Sequence, residues 1–184
     1  VARMPRVQCA GCGVHPVAVP WARPGSGFTL LFEALVLAMA PQMPMAAVAR
    51  LVDEHDTRLW RLVRHHVDDA RGRRRDGAVR AVGMDETASR RGHDYITLFV
   101  DLKNSRLLFA TPGKDASTVH RFRADFVAHG GRPEQLEEAC CDMSTGLIKG
   151  LAEAFPKVPV TFDRFHLMQL VNHGVDETRR AERA

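Results

Sequence analysis

The stretch Ala81 to Asp101, AVGMDETASRRGHDYITLFVD, decides the reading of the fold. A short apolar run ends in Asp85, a basic turn follows, and a second apolar run comes back. Runs of this length around a polar turn predict a β-hairpin, with Asp85 at its mouth. The chain beyond it predicts a second carboxylate beside Asp85, and the better candidate is Asp142, at the end of the next strand-like run LEEACCD.

Downstream the pattern alternates in type. VRAVGMD, YITLFVDL and SRLLFATP predict three strands, and a helix from Ser117 is ended by Gly130 and Gly131. LEEACCD is a fourth strand, TGLIKGLAEAFP a helix capped from Ser144 or Thr145, VPVTFD a fifth strand, and HLMQLVNHGVDETRRAERA an amphipathic helix. Three antiparallel strands followed by helix, strand, helix, strand, helix is the order of a ribonuclease-H-like mixed sheet. Its first and fourth strands are neighbours, which brings Asp85 near Asp142.

Two carboxylates at neighbouring strand ends repel one another unless a cation lies between them. Hard divalent ions such as Mg²⁺ favour carboxylate oxygen, and a pair of them can serve phosphodiester chemistry. The plainer reading is that both are turn formers, Asp85 starting a turn and Asp142 capping the following helix.

Upstream the periodicity is helical. FTLLFEALVLAMA opens at Ser26 or Thr29 and closes before Pro41, and MAAVARLVDE repeats apolar residues at Ala47, Val48, Leu51 and Val52. Thr57 can cap a third helix, TRLWRLVRHHVDDARGR, with Leu59, Leu62, Val63 and Val67 as its apolar stripe. Three helices with a tight break before the last describe a helix-turn-helix, whose third helix lies in the major groove. Thr57, Arg58, Arg61 and Arg64 are then the DNA-contacting residues, and Trp60 packs on the preceding helices or lies along the backbone. His65 and His66 read as solvated or phosphate-facing. A small bundle with a solvated basic face gives the same pattern.

Residues 1–27 are rich in Gly and Pro and carry Cys9, Cys12 and His15. A CxxC in a tight turn is half of a zinc knuckle. The other half is missing, so this segment reads as a zinc-ribbon remnant with Zn²⁺ at Cys9 and Cys12, or as an idle loop. Cys140 and Cys141 read as buried thiols.

The composition fits a soluble globular protein, 45% hydrophobic with a net charge of +4. Lys and Arg outnumber Asp and Glu 12 to 7 in residues 1–84, whereas the counts are 14 and 15 beyond. That asymmetry suits a polyanion-binding first part and a second part with different work. The longest apolar stretch is interrupted by Glu33 and too short to span a bilayer, so the expectation is a cytoplasmic protein without membrane contact.

VGMDETASRRGHDYITLFVDL, CCDMSTGLIKGLAEAFPKVPVTFDRFHLMQLVNHGVDETRR and PWARPGSGFT with its helices together resemble the ISL-three family of insertion-sequence transposases, of the wider DDE group. The resemblance covers nearly the whole chain. It implies an α/β fold, an incomplete ribonuclease-H-like mixed sheet preceded by a small all-α helix-turn-helix domain. The domains expected are a zinc-ribbon remnant and linker at 1–27, the helix-turn-helix at 28–72, a basic linker at 73–80 and the first part of the catalytic domain at 81–184.

The first two family aspartates fall on Asp85 and Asp142, with Mg²⁺ or Mn²⁺ as cofactor. Asp163, Arg164 and His166, within FDRFH, form a signature close to the site. The third ligand of the family is a glutamate on a later helix, and Glu177 and Glu182 fall too early for it. The resemblance therefore implies a transposase truncated before its third carboxylate. Its partners are double-stranded DNA, as terminal inverted repeats and target, and other copies of itself when intact. The alternative is a non-catalytic DNA-binding fragment that competes with an intact transposase.

Overall fold

A computed structural model describes residues 3–89 and 94–182. The chain divides into two compact units, Val1–Arg73 and Arg74–Ala184. The basic turn expected after Asp85 falls partly on residues 90–93, outside the described residues.

The first unit opens with a hairpin that periodicity did not reveal, β1 (Arg6–Cys9) paired antiparallel with β2 (Gly13–Pro16). Both strands are exposed, with no alternation of buried and open positions to betray them. Three helices follow: α1 (Leu30–Met39), α2 (Met45–Val52) and α3 (Asp56–Arg73). Of the two expected caps of α1, Thr29 takes the role, its hydroxyl accepting from the Phe32 N–H. Asp53 ends α2 in the left-handed region at φ 50°, a conformation that Asp tolerates better than most residues, and so makes the sharp turn toward α3.

Val36, Met45, Val48, Leu59 and Leu62 form the buried core of this unit. Inside α1 lies one charge, Glu33, 1% exposed. Arg23 donates to its Oε1 at 3.2 Å, the Ser26 hydroxyl donates to the same oxygen, and His66 Nε2 donates to Oε2 at 2.6 Å. Burial alone pushes the Glu33 carboxyl up, but the Ser26 and His66 hydrogen bonds and the Arg23 charge outweigh it and hold it below the usual range. His66, expected as solvated or phosphate-facing, is thus part of the fold.

The second unit is built on a five-stranded sheet. Its strands are β3 (Ala81–Ala88), β4 (Tyr95–Asp101), β5 (Arg106–Pro112), β6 (Glu138–Cys141) and β7 (Val160–Phe162), in the spatial order β5-β4-β3-β6-β7. The first three pair antiparallel, while β6 lies parallel to β3 and β7 parallel to β6. The helices are α4 (Ala116–Ala128), α5 (Thr145–Ala154) and α6 (Arg164–Ala181). This is an α/β unit with the mixed sheet that the order of elements predicts.

The core lies where β3 and β6 face α4 and α5. Val82, Met84, Ala139 and Cys141 point into it, alongside Phe99, Phe122, Leu147 and Leu151. Phe99 and Phe122 stack at 4.3 Å between centroids, and Gly150 lets α5 approach α4, since a Cβ there would lie 2.7 Å from Val119 Cγ2.

Of residues 73–80, expected as a basic linker, Arg73 ends α3 and 74–80 take part in this unit. Arg74 is 9% and Asp76 0% exposed, and Val79 belongs to the core. Arg74 pairs with Asp76 and Asp125 and donates to the Leu108 carbonyl, so the arginine is clamped on three sides. A buried guanidinium needs such partners to remain charged.

Candidate functional site

The register of the parallel pair fixes the site. Val82 aligns with Ala139 and Gly83 with Cys140, so each pair shares a face of the sheet. The parallel pairing stops at Gly83 and Cys140, and Asp85 and Asp142 each lie two residues beyond it. Asp85 itself is not at the mouth of the hairpin. It pairs with Leu98, and β3 runs on through Glu86, Thr87 and Ala88 against Thr97, Ile96 and Tyr95. The extended run ETA satisfies its backbone on β4, which a reading of Asp85 as a turn residue misses.

Each aspartate accepts one backbone N–H, Asp85 Oδ1 from Glu86 at 2.8 Å and Asp142 Oδ1 from Ser144 at 3.0 Å. Next to Asp85 on β3 stands a residue that sequence reasoning passed over. Glu86 is half-buried, and its Oε1 accepts the Ser144 hydroxyl at 2.9 Å, joining β3 to the start of α5. Burial pushes its carboxyl up, and the charges of Asp142 and Asp85 push the same way against the Ser144 hydrogen bond and the Lys114 charge. Desolvation and the Asp142 and Cys140 charges, in that order, push the Cys141 thiol up to about 11. Negative charge therefore accumulates at this end of the sheet.

Two carboxylates, Asp85 within β3 and Asp142 just past β6, each with one oxygen engaged, and Glu86 nearby are donors of the type a hard divalent cation that keeps some of its waters would take. Among the described residues, no three His, Cys, Asp or Glu side chains are drawn together tightly enough to hold an ion unaided.

Asp163 follows β7, and its N–H donates to the Cys141 carbonyl at 2.9 Å, so the end of β7 adjoins the end of β6. Its oxygens serve α6: Oδ1 accepts from the Phe165 N–H and Oδ2 from His166 Nδ1, both at 3.0 Å. The Phe165 bond leads in holding this carboxyl low, with smaller help from His166. Arg164 is exposed on the first turn of α6, and Glu177 pairs with His173 at 3.3 Å.

In the first unit, Arg61 and Arg64 are exposed on α3, and the Thr57 hydroxyl lies 2.8 Å from His55 Nδ1. Arg58 is drawn inward, paired with Glu54 and stacked 4.6 Å above the Phe28 ring. With Arg23, Arg61 and His65 it lines a basic cavity of about 160 Å³. Trp60 is 55% exposed.

Cys9 and Cys12 are exposed at the β1–β2 turn. The hydrogen bond from Cys12 leads in lowering the Cys9 thiol, and the same contact raises Cys12. His15 is occupied locally, its Nε2 donating to the Cys12 carbonyl at 2.7 Å. The pair thus remains half of a tetrahedral set among the described residues.

A basic trihelical unit followed by a mixed sheet, with one aspartate on β3 and another just past the parallel strand β6, defines a helix-turn-helix protein with a ribonuclease-H-like DDE domain. The comparisons with known proteins agree. Residues 82–184 match a family described as transposase, and residues 17–67 match the helix-turn-helix domain of transposase family ISL3. The chain belongs to the ISL3 family of transposases. It is 32% identical over 187 residues to the transposase for insertion sequence element IS1557 of Mycobacterium tuberculosis, strains CDC 1551 and H37Rv, covering 97% of this chain and 40% of each relative. It is 24% identical over 106 residues to the transposase for IS1001 of Bordetella parapertussis, 58% of this chain and 26% of that one.

The chain therefore spans less than half the length of the curated relatives it matches. Transposases of this class use divalent metal ions, and the helix-turn-helix implies DNA binding. Among the described residues, no helix is long and apolar enough to cross a membrane.

Proposed function

We propose that this chain acts in the transposition of an insertion sequence. The helical unit binds the terminal inverted repeats of the element, with Arg61, Arg64 and Thr57 facing DNA and Arg58 supporting them from its place beside Phe28. The sheet unit supplies Asp85 and Asp142 to hold Mg²⁺ or Mn²⁺ for strand cleavage and transfer. The bound ion supplies charge for the phosphodiester and for an attacking oxygen. The domains follow the same division, with residues 74–80 assigned to the sheet unit and Asp163, Arg164 and His166 shaping its edge. Assembly into oligomers on DNA belongs to this reading, as does a zinc-ribbon origin for the cysteine hairpin.

One observation carries it: Asp85 and Asp142 stand two residues beyond the same in-register pair of neighbouring parallel strands. The spacing of charge around Glu86 supports a cation there.

A second reading is a DNA-binding fragment that competes with an intact transposase, favoured by the lack of a tight three-ligand group among the described residues. A nicking assay on element-end duplexes separates the two. Mn²⁺-dependent nicking that Asp85→Ala and Asp142→Ala each reduce more than about a hundredfold, with the gel shift intact, upholds the enzyme. A gel shift without nicking leaves the competitor, and neither activity refutes both.

A further inference from the structure

The outward face of α3 carries two large apolar side chains that its own unit leaves uncovered. Leu59 and Leu62 are buried and His66 is tied to Glu33, so these positions fix the inner face of the helix. Trp60, Arg64 and Val67 stand four and then three residues apart, which aligns them along a different face. Trp60 is 55% and Val67 49% exposed, and Arg61 and Arg64 beside them make the surroundings cationic. An indole held in water on a basic helix is a contact surface awaiting a partner that is itself anionic and partly apolar.

We propose that Trp60 and Val67 read thymine methyl groups in the major groove of the duplex that the helical unit binds. This rests on the DNA-binding reading above and adds to it what the helix recognises. The C5-methyl of thymine is the apolar feature on the major-groove edges of the bases. Seven residues of helix separate the two side chains by about 10.5 Å, close to three base-pair steps of about 3.4 Å. The expected site therefore holds two thymines about three base pairs apart, with Arg64 between them reaching a guanine edge or a phosphate. An indole lying along the phosphate backbone would be indifferent to these methyls.

The test uses the whole chain and a random-sequence duplex library. The enriched duplex is remade with deoxyuridine for each thymine in turn, which deletes the methyl and leaves the hydrogen-bonding edges unchanged. The wild type loses affinity about fourfold at each of two positions, the worth of one buried methyl. Trp60→Ala loses the methyl dependence at one position and Val67→Ala at the other, while both keep the wild-type melting temperature and salt dependence. Trp60→Phe keeps part of the dependence.

An enriched duplex bound equally well after every replacement overturns the inference and leaves DNA binding standing. Failure to enrich any duplex removes both. Methyl dependence that survives in Trp60→Ala, or a dimer in solution that Trp60→Ala dissociates, assigns the face to something other than thymine.

Discussion

Two glutamates divide the molecule by the company they keep. Glu33, in the helical unit, is 1% exposed yet held below the usual carboxylate range, because a serine, a histidine and an arginine surround it. Glu86, in the sheet unit, is half-buried and pushed up, first by that burial and then by the charges of Asp142 and Asp85, which the Ser144 hydrogen bond and the Lys114 charge do not offset. The protein neutralises the first with its own side chains and leaves the second cluster short of positive charge. The contrast separates an acid that serves the fold from acids left for the cation that the proposed function places there.

The largest expected effect breaks the first half of that contrast. Glu33→Ala strands Arg23 and His66 and costs the helical unit about 3–5 kcal/mol, read as a fall in its urea midpoint with an unchanged slope. A change near zero would mean that the buried ion pairs offset only their own desolvation.

Acid acts more gently on the same residue. The carboxyl of Glu33 is depressed in the folded state, so its contribution is present above the unfolded value of about 4.3 and is lost as pH falls through the lower native value. Urea midpoints from pH 7 to pH 3 should drop in the wild type and flatten in this range in Glu33→Gln.

The smallest effect has the opposite sign. Glu86 is raised in the folded state, so its charge weighs against folding above about pH 4.3. Glu86→Gln keeps an acceptor for Ser144 and removes one like charge, and should stabilise the sheet unit at pH 7 by less than about 1 kcal/mol. Millimolar Mn²⁺ should narrow that gap by stabilising the wild type more than the variant, measured by paired thermal melts.

Much of this was legible in the residues themselves. The alternation of Val82 and Met84, the strand-like run before Asp142 and the three- and four-residue spacing of the helices place most elements, and the resemblance to ISL-three transposases placed the fold around them. What stayed hidden is polar and depends on the third dimension. Glu33 reads as an interruption of an apolar helix, because its partners lie ten and seven residues before it and thirty-three after.

Arg74 looks like one more arginine in a basic run until Asp125, fifty-one residues on, turns out to pair with it. Glu86 had a signal: it stands two residues past Met84 and four past Val82, which puts it on the core-facing side of β3. A following strand residue is easily taken for the start of a turn, and that obscured it. Trp60 reads from the sequence as packed on the preceding helices or lying along the backbone, and it is exposed while Leu59 and Leu62 fill the inner side.

The three-way grip on Glu33 sets terms for exchanging specificity among relatives. Moving the recognition helix alone would carry His66 away from an acid that stays behind, and beginning a transplant at Phe28 would leave out Arg23 and Ser26. A workable graft takes positions 23, 26, 33 and 66 as one heritable block, reaching back into the segment ahead of the helices.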